Sequence, residues 1–433
     1  MPGTETATQG AEQGSGRPAV PGQSPVRRRG RVPFHRPVDY LIAVFVLVAS
    51  LVTSITLWQR SDSHNTTLDT GPAAVAQPAQ PTAFPPSLFE AWERPSDATQ
   101  VPVVAGPTVV TANGGAVIGR DPITGDQRWS YTRDLPLCTV SAAWNYVLAV
   151  YQRSGCNEVT ALDDTTGARG PQRNGDAQPG AELVADGTYV TTTGPTLLDT
   201  WRSDLVQTMQ YGKVPDFQNP NRQPYQDCVN GSVAASSGQV GVIQRCPNDS
   251  GDRLTVYKSS NSQGNADTPQ LTFSILVGAH GARLVALNSQ YAAVVLPDPS
   301  RLAVFNASNG ALVKQYSLDL PAADLAGDPP HLVVPTQVGP DSVYWFTGSS
   351  TVALSTTDFH PQWTVNDTLG AGTEFAGRYL APVPNALLVL DLNTGAKVGE
   401  IGVDRHGYTG AVAMAALGPV VFEQRGNTLA ALR

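Results

Sequence analysis

The stretch Ala116 to Asp134 reads AVIGRDPITGDQRWSYTRD, and Leu387 to Ile401 reads LLVLDLNTGAKVGEI. In each, a short aliphatic run ends in a turn of the form D-x-x-T-G, at Asp121 to Gly125 and at Asp391 to Gly395, and a second extended run follows. An Asp side chain accepts hydrogen bonds from its own downstream backbone, and Gly takes positive φ without steric cost, so this is the chemistry of a β-hairpin. The same turn returns at Asp163 to Gly167 (DDTTG) and at Asn306 to Gly310 (NASNG), with weaker copies at Asp199, Lys258 and Ser355. One further step reaches Arg433, the last residue. The resulting period of about 45 residues leaves room for four strands per repeat, the signature of a β-propeller.

A second marker supports the register. Trp129 lies eight residues after Asp121, and Trp363 eight after Ser355. At Arg433 the chain stops where such a strand should begin, while at the other end Leu88 to Pro95 (LFEAWERP) resembles DQRWSY, with Trp92 in the place of Trp129. The sequence therefore predicts an all-β, eight-bladed ring over residues 88–433 in which an N-terminal strand completes the last blade. Seven blades is the alternative, because the third and fourth are poorly marked. Trp92, Trp129 and Trp363 read as packing between blades. Composition agrees: 41 Gly and 35 Pro, with charged residues at 15% against a norm of about 25%, exclude a disordered chain or a coiled coil. Beyond the N-terminal region no capped segment with helical apolar periodicity occurs, so helices should be few.

The N-terminal region reads differently. Residues 1–37, rich in Gly, Pro and Gln, look like a disordered tail, and carry six Arg against Glu5 and Glu12. Residues 38–58 (VDYLIAVFVLVASLVTSITLW) hold a single charge, Asp39, and are long enough to cross a hydrocarbon core of about 30 Å. The cluster RRRGRVPFHR precedes this span and only Arg60 follows closely, which places the N-terminus in the cytoplasm and the rest outside. The segment is read as an uncleaved signal anchor, with a cleavable signal peptide as the competing reading. Residues 59–87, rich in Pro, Ala and Thr, read as an extended spacer that lifts the following domain off the membrane. The whole chain carries −8, so the part beyond residue 37 is more acidic still, which argues against nucleic acid as a partner. The Arg-rich, Lys-poor, Ala- and Gly-rich composition points to a high-GC, actinobacterial genome.

The two quoted segments resemble the repeat of quinoprotein-type (PQQ-like) β-propellers, a family that includes both dehydrogenases and the scaffold lipoprotein of the bacterial outer-membrane assembly machinery. The resemblance spans roughly residues 88–433 and implies the propeller fold. Enzymes of this type imply more: a calcium site and, in many members, a disulfide between adjacent Cys stacked on the cofactor. This chain has no adjacent Cys pair and is shorter than those enzymes.

Its four Cys form two pairs of equal spacing, Cys138 with Cys156 and Cys228 with Cys246, each 18 residues apart. Four Cys allow three connectivities, and the equal spacing favours these two bridges, inside blades two and four. Disulfides agree with an extracytoplasmic location. A metal site lacks any C-x-x-C or nearby His. No H-E-x-x-H, G-x-S-x-G, P-loop or G-x-G-x-x-G occurs, and the six His are scattered. Asn248, Asp249 and Asp252 offer clustered oxygens of the kind calcium takes, but read better as a hairpin turn. The insertions Phe217 to Tyr225 and Asn261 to Gln270 are the first places to look for a binding surface. The expectation is a non-catalytic, monomeric propeller without a cofactor, tethered to the cell membrane by one helix and binding other cell-envelope proteins. A PQQ-dependent dehydrogenase-like enzyme and a ligand-sensing ectodomain are the alternatives.

Overall fold

The computed structural model describes residues 36–61, 64–215 and 223–433, which fall into two compact units divided after Arg60. The tail read as disordered lies, up to residue 35, outside the described residues. The first unit is the helix Pro37–Gln59, one residue longer at each end than the predicted span. Its most apolar stretch has a mean hydropathy of 2.4, and by length and composition it can cross a membrane. Asp39 accepts a hydrogen bond from the Arg36 amide at the helix start.

The second unit is an eight-bladed β-propeller. Seven blades are antiparallel sheets built from consecutive strands at 103–132, 137–174, 183–212, 229–276, 283–317, 336–366 and 373–402. The eighth takes three strands from Val412–Leu417, Val420–Arg425 and Thr428–Leu432, and its fourth from the other end of the chain, Glu90–Pro95. Trp92 pairs with Ala431 and Arg94 with Leu429, so the ring closes by N-terminal strand addition, and eight rather than seven is the count. First strands of neighbouring blades touch around a central channel. Second and third strands supply the core: Val109, Val147, Leu198, Val242, Val294 and Leu380 are fully buried. Antiparallel hairpins of four strands suit a chain whose apolar residues come in runs of four to six between turns.

The third residue of the fourth strand divides the blades into two groups. That residue is Trp92, Trp129, Phe273 or Trp363 in four blades and Pro171, Met209, Lys314 or Gly399 in the others. The two groups sort by what they meet. A Cβ built on Gly167 would lie 2.6 Å from the Trp129 ring, and on Gly125, Gly310 and Gly395 it would lie 2.7 Å from Trp92, Phe273 and Trp363. The indole N–H of Trp92, Trp129 and Trp363 donates to the carbonyl of the second turn residue, Pro122, Asp164 and Leu392, at 3.2, 3.4 and 3.0 Å. An aromatic ring thus lies wherever the next turn has a Gly to receive it. Leu205 and Phe359 occupy the Gly place in two other turns, at φ 59 and 58, and the fourth strands of the blades before them carry Pro171 and Lys314 at the third position. The acceptor side chain works as expected from the sequence: Asp391 Oδ1 takes the Thr394 hydroxyl and amide and the Asn393 amide, which holds its carboxylate below the usual range.

Two sequence expectations change here. The weak repeat placed at Asp199 is out of step by three residues: Asp199 lies inside the strand Leu197–Trp201, and the turn begins at Arg202, whose amide bonds Val206 as that of Asp121 bonds Asp126. This turn is one residue shorter than the others, which displaced the sequence register. The segment 59–87 is not a free spacer. Thr67–Asp69 adds a fifth strand to the outer edge of blade one, with Leu68 opposite Tyr131, and Gly71 N donates to Thr166 O at 2.9 Å. Phe84 meets Phe375 edge-on, with ring centroids 6.2 Å apart, and Leu88 is buried. An outer blade edge exposes unpaired N–H and C=O groups, and an extended segment with no internal hydrogen bonds is suited to satisfy them.

Candidate functional site

The channel is where a propeller gathers side chains from every blade, and here a strap of chain crosses it. Between blades five and six, residues 318–335 leave the sheet, form two short 3₁₀ turns, Ala322–Leu325 and Pro330–Leu332, and return. The strap is held by charge placed against backbone. Arg283, on the first strand of blade five, donates to the carbonyls of Asp324, Ala326 and Gly327 at 2.7, 2.9 and 3.1 Å. Asp324 in turn accepts from the Thr347 hydroxyl at 2.5 Å and from the Ser349 amide and hydroxyl. Asp328 receives both guanidinium arms of Arg245. At the far end, His331 Nδ1–H donates to Gly180 O of the segment between blades two and three, at 3.0 Å. His331 and Leu332 both sit at positive φ, 52 and 63, a backbone conformation that ordinary residues hold only where surrounding contacts impose it.

The strap divides the channel. On the face that carries the linkers between blades lies a cavity of about 680 Å³, bounded by Gln100, Glu182, Arg283, His331, Leu369 and Tyr408 among others. Glu182 Oε1 accepts from the Thr139 hydroxyl and the Leu183 amide, and burial raises its pKa. On the other side lies a cavity of about 390 Å³ with aliphatic walls. Val333, Val334 and Thr336 form a wall common to both.

A quinone cofactor with calcium does not fit these residues. Among the described residues no group of His, Cys, Asp and Glu is arranged to hold a metal ion. The strap's own acidic side chains, Asp324 and Asp328, are already bonded to Thr347 and Arg245. The NDSGD turn is likewise committed: Asp249 forms a two-armed pair with Arg253, and Asp252 is buried and accepts from the Ala282 amide.

The two disulfides join Cys138 to Cys156 and Cys228 to Cys246. In blades two and four they tie the start of the first strand to the turn between the second and third. Replacing either pair by Ser is expected to cost about 3 kcal/mol in denaturant unfolding, from the loop each closes. The described parts of the insertions singled out in sequence pack on blade three. Gln210 N, on the outer strand of blade three, donates to Ala266 O, while Gln223 bonds the backbone of Gly212, Gln210 and Asp267, so both cover that blade's edge; residues 216–222 lie outside the described residues. The strap is what the sequence did not reveal.

One buried acid lies away from the channel. Asp199 is fully buried, and burial lifts its pKa to about 6, against which Gln207 and Arg173 act. The native state then binds a proton that the unfolded chain has released, so stability falls as pH rises from about 4 to 6 and levels off above. The span from 3.8 to about 6 corresponds to roughly 3 kcal/mol. Asp199→Asn should remove this loss, so its stability relative to the wild type should rise across that pH window, as urea titrations at several pH values would show.

No protein-family model matches the sequence, and no curated protein does. Among solved structures, the chain is similar to BamB from Moraxella catarrhalis at 14% identity, covering 80% of this chain and 99% of that one, with a TM-score of 0.49. The computationally designed Ika8 protein aligns at 12% identity over 82% and 99%, with a TM-score of 0.52. The quinohemoprotein alcohol dehydrogenase from Comamonas testosteroni aligns at 12% over 80% and 76%, with a TM-score of 0.49. At such identities the likeness is one of architecture, and what the geometry itself establishes is an eight-bladed β-propeller preceded by a helix able to span a membrane.

Proposed function

We propose that this chain is a membrane-tethered, extracytoplasmic propeller that binds and holds together other proteins of the bacterial cell envelope, without carrying out a reaction. The observation that supports this most is the strap: Arg283, Arg245, Asp324 and Asp328 are engaged in fixing the chain's own residues 318–335 across the channel, and the broad outer surface of the ring remains for partners. The arginines before the helix and their scarcity after it support an external propeller, as do the two disulfides. The proposal separates from a dehydrogenase reading by direct assay. Purified protein given pyrroloquinoline quinone, calcium, alcohols or aldose sugars and a redox dye should bind no quinone and reduce no dye. Stoichiometric quinone binding with substrate-dependent dye reduction would overturn it.

A further inference from the structure

The smaller cavity has a chemistry that nothing above uses. Its walls come from the first strands of blades three to six and from the strap, and are made of Val184, Val233, Leu284, Leu287, Val334 and Phe359 with neighbouring Ala and Val. Its volume of about 390 Å³ falls in the range of small-molecule sites, about 300–1,000 Å³. What decides the ligand is the state of the polar groups. Asp186, the single charged wall residue, has both oxygens occupied: Oδ1 accepts from the amides of Thr188 and Tyr189, and Oδ2 from the Gly238 amide and the Ser259 hydroxyl. Asn288 donates to Thr356 O and accepts from the Gln290 and Tyr291 amides, and the Thr356 hydroxyl donates to Pro340 O. The walls therefore offer mainly aliphatic contact, and their one carboxylate already has its hydrogen bonds from neutral donors of the chain itself. At the mouth, Val338 on the strand Thr336–Val338 is two-thirds exposed, extending the apolar surface outward.

A pocket lined mainly by aliphatic side chains gains by taking up methylene groups, whereas a strongly polar ligand would give up more hydration than these walls return. We infer that this cavity is a binding site for an aliphatic chain of the fatty-acyl class, inserted tail first so that its polar end stays at the mouth beside Asn288 and Val338. The inference stands apart from the scaffold reading, because it uses a different cavity surface and requires no protein partner. A free fatty acid and the acyl chain of a lipid share this chemistry, so the experiment carries both.

The test uses the full chain in phosphatidylcholine nanodiscs with two photoreactive probes, a diazirine-bearing myristic acid and a phosphatidylcholine carrying the same diazirine chain. Labelled peptides are mapped by mass spectrometry. Labelling within 233–236, 284–288 and 333–338 by either probe supports the site, and the probe that labels identifies the source. Ala185→Trp, at an exposed position of the wall, and Ala235→Trp, at a half-buried one, each add a large side chain to the cavity lining. Each should cut labelling of those peptides about tenfold, the loss of roughly two buried methylenes. Competition by unlabelled saturated acids on the unaltered chain should strengthen about fourfold per methylene until the cavity is full, which tests the site without any variant. Labelling confined to peptides of residues 37–59, or competition that does not depend on chain length, would overturn the inference.

Discussion

Glu423→Ala is expected to destabilise the propeller by about 3–5 kcal/mol. Glu423 is fully buried on the strand Val420–Arg425 and joins two guanidinium groups that are themselves buried. Arg405 donates to it through Nε and Nη2 at 3.0 and 2.7 Å, and Arg425 through Nε at 2.8 Å. Arg405 also bonds the carbonyls of Val383 and Ala386 in blade seven, and Arg425 reaches Glu90 at 2.7 Å on the N-terminal strand. The network therefore ties blade seven, the C-terminal strands and the strand that closes the ring. Removing its central carboxylate leaves Arg405 buried with carbonyl partners alone and Arg425 with Glu90 alone, in a medium that solvates neither cation. Glu90→Gln should cost less, about 1–2 kcal/mol, because Glu90 is 22% exposed and touches one arginine. Urea unfolding monitored by tryptophan fluorescence checks both. Similar losses for the two variants would mean that the network does not act as described.

The second large effect belongs to the aromatic ring that joins successive blades. Trp129→Ala should cost about 3–5 kcal/mol, since the indole is fully buried between blades one and two and would leave a cavity. Gly167→Ala should also be costly, for two separable reasons. Its φ of 72 is unfavourable for an L-residue, worth about 1–2 kcal/mol, and its Cβ would fall 2.6 Å from the Trp129 ring. In the Trp129→Ala background the second reason disappears. The double-mutant cycle should therefore show the two changes costing less together than the sum of each alone, by about 1–3 kcal/mol. Strict additivity would contradict the packing account.

This contact also explains what was legible in the sequence. Four turns could be read because their chemistry is local: an Asp or Asn that caps its own backbone and a Gly four residues later. Where Leu205 and Phe359 take the positive φ instead, the surrounding packing pays the strain, and no local signal remains. Phe273 does the work of a Trp facing Gly310 and escaped a search for indoles. The equal 18-residue spacing of the Cys pairs was readable because each bridge lies within one blade. The strap was not readable, since its anchors are remote: Asp328 meets Arg245 across 83 residues and His331 meets Gly180 across 151. The same holds for Thr67–Asp69, whose Pro-, Ala- and Thr-rich surroundings say extended chain but not which edge it satisfies. Ring closure was legible for the opposite reason, because Trp92 carries the repeat's own marker to the other end of the chain.

The proposal that this ring serves as a tethered scaffold is tested most directly by crosslinking in the native membrane. Cells producing the full chain are treated with a membrane-impermeant, amine- and carboxyl-reactive crosslinker, and linked peptides are identified by mass spectrometry. The account predicts recurrent links between propeller residues beyond 88 and the same few envelope proteins, with no links from the tail before residue 37, which the proposed topology puts on the cytoplasmic side. Links from the tail under these conditions, or a propeller that links only to itself, would contradict it.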